Sequence, residues 1–497
     1  MAQGFILYEE DQCPEDVGDE YFMDLLWRSF FHEVEKDELG NISKFKIHDL
    51  MHDLAIQVTR SDCTTINSKV KVIKEKTRHV SFEDRLCSSS EIPISLCKAR
   101  RIRTFLLPCQ PKYMPKYYTI KSNDSTYSEI IASFKFIRLL DLHNMEIKTI
   151  PSFIKKLKHL RYLDLSMNEG IEMLPNSIVK LYNLQTLNLS KCKNLKELPK
   201  DINKLINLRF LEIDGCSGLT HMPNGLGQLT NLQTLSRFVM SKGRIDSVPR
   251  SNGGLKELER LNELRGNLSI VNLKQIKDAT LEYKAANLKE KQRIDKLHLI
   301  CVEEDINEMG ASYDDMSLET LQPNINLKAL TLDRYGGVIF PRWLALLTNL
   351  VQFELYLCNK CQYLSPLDQF RSLKIIHLEG LDSLEHISDS ERDNNDSLFY
   401  PSLEELDISK CPNLKGWWWG RWDSLPSFPR LSDLDIMDCP QLTAFPLFPY
   451  LERLTLAKCC LKQSLERMMI NNKTSGNLPS IASSSSSPST IVALSPN

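Results

Sequence analysis

Four prolines, Pro151, Pro175, Pro199 and Pro223, stand 24 residues apart, and the same register carries a ladder of leucines. Counting from Leu160, apolar residues fall at offsets zero, three and five: Leu160, Leu163 and Leu165, then Leu184, Leu187 and Leu189, then Leu208, Leu211 and Ile213. Asn168, Cys192 and Cys216 follow at offset eight. A unit this short cannot bury its own apolar face, so neighbouring units must stack. Each then gives one short strand to a parallel sheet on the inner wall of a solenoid, and the chain presents an extended surface for recognition.

The spacing L-x-x-L-x-L-x-x-N/C is that of leucine-rich repeats. The fold class expected is α/β, a leucine-rich repeat solenoid with a parallel inner sheet and short helices outside, preceded by a different N-terminal segment. A chain of 497 residues is too long for one compact core, a limit that a solenoid escapes by growing along one axis. The formal net charge of -2 gives no argument for nucleic acid or an acidic membrane. No apolar stretch approaches the ~18 to 20 residues of a membrane span. Met1 to Glu10 has no positive flank, and its apolar run is too short for a secretion signal. A cytoplasmic protein is expected.

Of the 14 cysteines, Cys192, Cys216, Cys358, Cys411, Cys439 and Cys459 occupy the offset-eight slot, where a small side chain turns inward. Cys358 and Cys361 make a C-x-x-C, but no second pair follows and no metal site is expected. Reduced structural thiols fit a cytosolic compartment.

The array changes along its length. From 136 to 240 it is regular, with Leu174, Pro175, Ile178, Leu181 and Leu184 recurring as Leu198, Pro199, Ile202, Leu205 and Leu208. The period of three after each proline predicts short helical or 3₁₀ segments on the convex side. From 241 to 470 the repeats are irregular, with strand signatures at Leu268–Ile270, Leu297–Leu299, Leu330–Leu332, Phe353–Leu355, Ile376–Leu378, Leu406–Ile408, Leu434–Ile436 and Leu454–Leu456. Insertions lie between them, including Ser241–Leu255 and the acidic Glu303–Asp315. Residues 63 to 135 read as a linker with a first irregular repeat or cap, and the serine-rich tail 471 to 497 as disordered.

Residues 1 to 62 carry a different signal. Val17-Gly18-Asp19-Glu20-Tyr21-Phe22 leads to Leu25-Leu26-Trp27-Arg28-Ser29-Phe30-Phe31, then to Phe45-Lys46-Ile47-His48-Asp49-Leu50-Met51-His52-Asp53-Leu54-Ala55. This resembles the C-terminal part of the winged-helix subdomain in plant intracellular immune receptors of the nucleotide-binding, leucine-rich repeat family, coiled-coil branch. The proline-spaced repeats resemble the same family. So does the run Leu261, Leu264, Gly266, Leu268 and Ile270 ahead of Ala285-Ala286-Asn287-Leu288-Lys289 and Lys291. The resemblance covers nearly all of the chain except its tail.

That resemblance implies a Met-His-Asp motif that closes the winged helix over bound ADP, with the histidine near a phosphate. The family pattern places it after an aromatic and basic strand end, on Ile47, His48 and Asp49; the alternative register is Met51, His52 and Asp53. Read without the family, Asp49 and Asp53 charge the first turns of a helix and His48 packs. The phosphate cradle G-x-x-x-x-G-K-S/T is missing, and no Gly-Lys pair occurs. The ADP or ATP of an intact member therefore has no expected counterpart as a cofactor here. Met1 resembles an internal residue of the winged helix, so an N-terminally shortened receptor is expected, by nature or by gene model.

Function then moves to the inner face, where residues between the strand leucines point outward. Many are acidic: Asp141, Asp164, Glu212, Asp214, Glu354, Glu379, Glu405, Asp407, Asp433 and Asp435. They read either as a solvated face or as a surface for a basic partner: a pathogen effector, a guarded host protein or the receptor's own nucleotide-binding module. Trp417, Trp418, Trp419 and Trp422, beside Arg421, are a second contact candidate, weighed against packing on the solenoid flank. No G-x-S-x-G, H-E-x-x-H or kinase motif stands out, and no enzyme is expected. Alternatives are a repeat-based adaptor such as a ubiquitin-ligase substrate receptor, a non-signalling truncated receptor, and an extracellular receptor domain, which the missing signal and span disfavour.

Overall fold

In the computed structural model the described residues are 1–9, 12–59, 61–67, 73–82, 96, 99–107, 124–242, 252–273, 280–302, 318–364, 367, 370–388, 400–418, 428–442, 446, 448–459, 480–482 and 493–495. The chain divides into two compact units, Met1–Gly253 and Gly254–Asn497. Glu303–Asp315 and most of Ser241–Leu255 lie outside the described residues. So does most of the tail, where the described residues are an antiparallel pair, Ser480–Ala482 with Ala493–Ser495.

The first unit opens with helix α1 (Pro14–Trp27), whose proline needs no N–H donor and whose first turn carries Glu15 and Asp16. A hairpin follows, Phe31–Lys36 paired antiparallel with Ile42–Ile47. Its loop is closed by Asp37, which accepts the N–H groups of Leu39 and Asn41 at 3.0 and 2.8 Å, while Gly40 supplies the left-handed residue at φ +85°. Phe22, Phe31 and Phe45 cluster between helix and hairpin with ring centroids 4.7 to 5.3 Å apart. Helix α2 (Asp49–Thr59) buries no residue, and Leu50, Leu54, Ile56 and Val58 are exposed on it.

The same unit holds an 8-stranded sheet in chain order, all parallel: Cys63–Ile66, His79–Phe82, Thr104–Leu106, Leu139–Asp141, Tyr162–Asp164, Thr186–Asn188, Phe210–Glu212 and Thr234–Leu235. The strands of 63 to 106 join this sheet as repeats of their own, more than the single irregular repeat read from their sequence. Short polar stretches such as Cys63–Ile66 lack the leucine register, so only the neighbouring ladder identifies them. Behind the strands, Leu163, Leu165, Leu187, Leu189, Leu211 and Ile213 are fully buried. The convex 3₁₀ turns Ser152–Lys156 and Asn176–Lys180 begin after Pro151 and Pro175, as the spacing predicts.

Two further ladders hold the repeats together. Asn168 donates to Leu142 O (2.9 Å), Leu165 O (2.8 Å) and Ser166 O (3.3 Å), and accepts from the N–H groups of Met145 and Ile147 (both 3.0 Å). In the next two units the slot is a thiol, and Cys192 and Cys216 donate to Leu165 O (3.2 Å) and Leu189 O (3.0 Å). Burial pushes these thiols up to about 12 and about 11, out of reach of ordinary thiolate chemistry. The second ladder was not read from the sequence, although its spacing was visible: Asn183 and Asn207 donate to Lys158 O and Tyr182 O at 2.8 and 2.7 Å.

In the second unit the parallel strands are Arg265–Leu273, Arg293–Cys301, Ala329–Asp333, Gln352–Tyr356, Ile375–Glu379, Glu405–Ser409, Asp433–Met437 and Arg453–Ala457. Every strand signature of the irregular repeats falls inside one of them. Lys291 is fully buried beneath the first two, donating to Leu258 O (2.7 Å), Leu261 O (3.2 Å) and Asn262 Oδ1 (3.3 Å). Burial lowers its pKa to about 8.

Candidate recognition surface and nucleotide-sensor motif

His48 stands between the hairpin and α2. Its N–H donates to Phe30 O at 3.0 Å, its carbonyl accepts Met51 N and His52 N at 2.9 and 3.0 Å, and its Nδ1 accepts Leu50 N at 3.2 Å. His48 thus caps the helix, and Asp49 is its first residue, where the helix dipole favours a carboxylate. The turn brings Ile47, His48 and Asp49 together; Met51, His52 and Asp53 follow inside the helix, with His52 Nδ1 and Asp53 Oδ1 3.7 Å apart. All six are half or fully exposed. An adenine nucleotide does not fit this turn. The N–H groups of Leu50, Met51 and His52, which would greet a phosphate at a helix start, are all bonded to His48, and Asp49 adds a repelling charge.

The inner face of the first unit divides into spent and free carboxylates. Asp164 is buried; its Oδ1 accepts Ser166 N at 2.8 Å and its Oδ2 accepts Tyr162 Oη at 3.2 Å and Asn188 Nδ2 at 2.9 Å. Asp141 likewise accepts His143 N, His143 Nδ1 and Leu107 N. Both aspartates brace the turns that follow their strands. Glu212 is half-buried, and burial with Asp164 nearby raises its pKa. Asp214 is exposed.

In the second unit, register places Thr331, Glu354, His377, Asp407, Asp435 and Thr455 side by side across six strands. His377 is clamped: its Nδ1 lies 3.4 Å from Glu354 Oε1 and its Nε2 lies 3.3 Å from Glu405 Oε1. The hydrogen bond to Glu354 is the main cause of a pKa raised to about 9, with Glu405 adding and burial opposing. At the edges Lys410 pairs with Glu379 at 2.6 Å and Arg453 pairs with Asp433. Asp407 and Asp435 have no salt-bridging cation among the described residues. Asp407 Oδ1 is buried and accepts no hydrogen bond, and its pKa is raised first by burial, then by Asp435, Glu379 and Glu405, with His377 opposing.

The clamp gives a pH prediction. An unfolded histidine titrates near 6.5, so the stability from charged His377 is complete below about pH 6.5 and is lost as pH rises through about 9. The difference in urea midpoint between the wild-type chain and His377→Gln is expected to shrink over that interval. A difference that stays constant with pH would contradict the clamp.

Trp417 is not a contact residue. It is 1% exposed, with its ring 5.4 Å from Phe428 and 5.7 Å from Phe448, so an aromatic core has taken the side chain that the tryptophan run offered to a partner. Trp418 belongs to the short strand Gly416–Trp418, its side chain lies outside the described set, and Trp419 and Trp422 lie outside the described residues. Trp417→Ala is expected to lower stability by about 3–5 kcal/mol in thermal unfolding. An unchanged melting temperature would restore the contact reading. Cys358 and Cys361 are both buried, and no metal-binding cluster of His, Cys, Asp or Glu occurs among the described residues.

Stacked parallel strands, proline-started 3₁₀ turns and an asparagine and thiol ladder define a leucine-rich repeat protein with a winged-helix piece ahead of it. The family model "Leucine-rich repeat region" matches residues 118–415, more than half of the chain, and "Disease resistance protein Winged helix domain" matches residues 1–55. The chain belongs to the leucine-rich repeat disease resistance family of plants. Proteins named for disease resistance align along most of it: one from Arabidopsis thaliana at 35% identity over 413 residues, 81% of this chain and 28% of that one. RGA1 of Solanum bulbocastanum is 37% identical over 420 residues, 84% of this chain and 37% of that one. RPP13-like protein 1 of Arabidopsis thaliana is 32% identical over 479 residues, 92% and 41%. The chain therefore spans well under half the length of these relatives. Among solved structures it is similar to the leucine-rich repeat protein LIC12759 of Leptospira interrogans, at 19% identity and a TM-score of 0.41 over 82% of this chain and 90% of that one. No helix among the described residues is long and apolar enough to cross a membrane.

Proposed function

We propose that the chain is the recognition and restraint portion of a plant innate immune receptor. Its inner strand faces contact a pathogen effector, a guarded host protein or the receptor's own nucleotide-binding module, and the winged-helix piece carries the sensor end of the switch. The observation that carries this reading is the row Glu354, His377, Asp407 and Asp435, in which Asp407 and Asp435 have no salt-bridging cation among the described residues. A protein partner is the natural supplier of that charge. The reading assigns the chain no reaction and no nucleotide of its own. Buried thiols that act as hydrogen-bond donors must stay reduced, which supports a cytoplasmic location.

The switch half is tested by grafting the chain behind an intact nucleotide-binding module and reading ligand-free cell death in leaf tissue. Asp49→Val is expected to raise it strongly and Asp53→Val to change it little, because Asp49 sits on the turn with His48 and Asp53 lies a helical turn beyond. Activation by Asp53→Val alone would move the motif to Met51, His52 and Asp53.

A further inference from the structure

The outer flank of the regular repeats carries a charge opposite to that of their inner face. Residues 152–159, 176–183 and 200–207 fill the same stretch of three successive repeats and hold six lysines against one carboxylate, Asp201. Each 3₁₀ turn there, Ser152–Lys156, Asn176–Lys180 and Ile202–Lys204, ends on a lysine. Lys204 pairs with Asp201 at 2.7 Å, while Lys155, Lys156, Lys158, Lys180 and Lys200 are exposed and have no carboxylate partner among the described residues.

Exposed apolar side chains stand among these lysines. Lys135, Lys158, Tyr182 and Ile206 hold one place in four successive repeats, and Tyr182 and Ile206 are 52% and 63% exposed. Lys158 Nζ lies 5.5 Å from the centre of the Tyr182 ring and donates to Lys180 O at 3.4 Å. Beside Lys135, the exposed Phe136 stacks on His159 with ring centroids 5.9 Å apart. The carbonyls under this row need no water, because Asn183, Asn207 and Asn231 donate to Lys158 O, Tyr182 O and Ile206 O at 2.8, 2.7 and 3.4 Å. Carbonyls satisfied in this way can lose their hydration without leaving a hydrogen bond unmet.

We propose that this flank is a peripheral membrane-binding surface for anionic lipid headgroups, with Phe136, Tyr182 and Ile206 entering the interface between the lysines. Lysine stems lie along apolar surface while their ammonium groups stay at headgroup level, and aromatic rings favour the same depth. The unpaired cations of the flank are all lysines, point charges rather than the forked guanidinium groups that grip single phosphates and carboxylates bidentately. A diffuse field of headgroups fits them better than one nucleic acid or acidic peptide. The carboxylates of the inner face, on the other side of the strands, face away from the headgroups that would repel them.

The test is co-flotation of the full chain with vesicles of phosphatidylcholine and phosphatidylserine, set against vesicles of phosphatidylcholine alone and, without vesicles, against an RNA oligonucleotide and polyglutamate. The wild-type chain is expected to float with the mixed vesicles, to leave them as salt rises, and to ignore pure phosphatidylcholine. Lys155→Gln with Lys156→Gln and Lys158→Gln is expected to lower partitioning about hundred-fold, at about five-fold per lysine. Tyr182→Ala with Ile206→Ala is expected to lower it several-fold at an unchanged urea midpoint, a loss that a purely electrostatic contact would not show. No flotation of the wild-type chain, equal flotation on both kinds of vesicle, or a triple variant that floats like wild type would overturn the proposal. So would an apolar pair without effect, or retention of RNA or polyglutamate in place of vesicles, which would assign the lysines to a nucleic acid or an acidic protein.

Discussion

Asn168→Ala is expected to destabilise the first unit by about 3–5 kcal/mol, because five hydrogen bonds from one buried side chain to backbone groups are lost in one step. Leu142 O, Leu165 O and Ser166 O each lose a donor, and the N–H groups of Met145 and Ile147 lose an acceptor, all in a region without access to water. Asn168→Cys is expected to cost less. A thiol in that slot already bonds to the preceding repeat through Cys192 and Cys216, although it cannot accept from Met145 and Ile147 as the amide does. In a repeat array each unit touches its neighbours, so the damage is local. Amide exchange should rise at Met145 and Ile147 while strand Asp433–Met437 of the second unit stays protected. An unchanged exchange pattern would show that the asparagine fills space without holding the stack.

The regular repeats were legible because one period fixed strand, turn and 3₁₀ segment together; the 24-residue step leaves the inward positions little freedom. In the irregular repeats the apolar pair in each strand, such as Leu406 and Ile408, still marked the strand although the insertions varied. What the spacing could not show is how a side chain spends its polar atoms. Asp164 and Asp407 occupy the same position of their repeats, yet Asp164 is consumed by Tyr162, Ser166 and Asn188 whereas Asp407 Oδ1 accepts nothing. The clamp on His377 needs carboxylates from two neighbouring strands, 23 and 28 residues away in sequence. Glu15 finds Arg209 across 194 residues, a separation at which no local pattern operates. Trp417 shows the opposite case, a conspicuous composition signal whose ring is in the core because Phe428 and Phe448 close over it.

These differences narrow the inner-face surface to the carboxylates that have no salt-bridging cation among the described residues. Asp433 is held by Arg453 and Glu405 by His377, so reversing either would break an existing pair and mix stability with binding. Asp407 and Asp435 are free of that complication, and their side chains leave the leucines and isoleucines beneath them untouched. The isosteric pair Asp407→Asn and Asp435→Asn removes two adjacent charges without a change of shape. Loss of their mutual repulsion should leave the urea midpoint unchanged or slightly raised.

The most direct measurement of the central claim is the association rate of the full chain with a separately expressed nucleotide-binding module of this receptor class, across a salt series. For the wild-type chain, rising salt should slow association, since screening acts on charges that steer encounter. For Asp407→Asn with Asp435→Asn, association at low salt should fall several-fold, about what two lost steering charges produce, and the salt dependence should flatten. Binding that is indifferent to both the substitutions and the salt, or no binding by the wild-type chain, would contradict an inner face built for recognition.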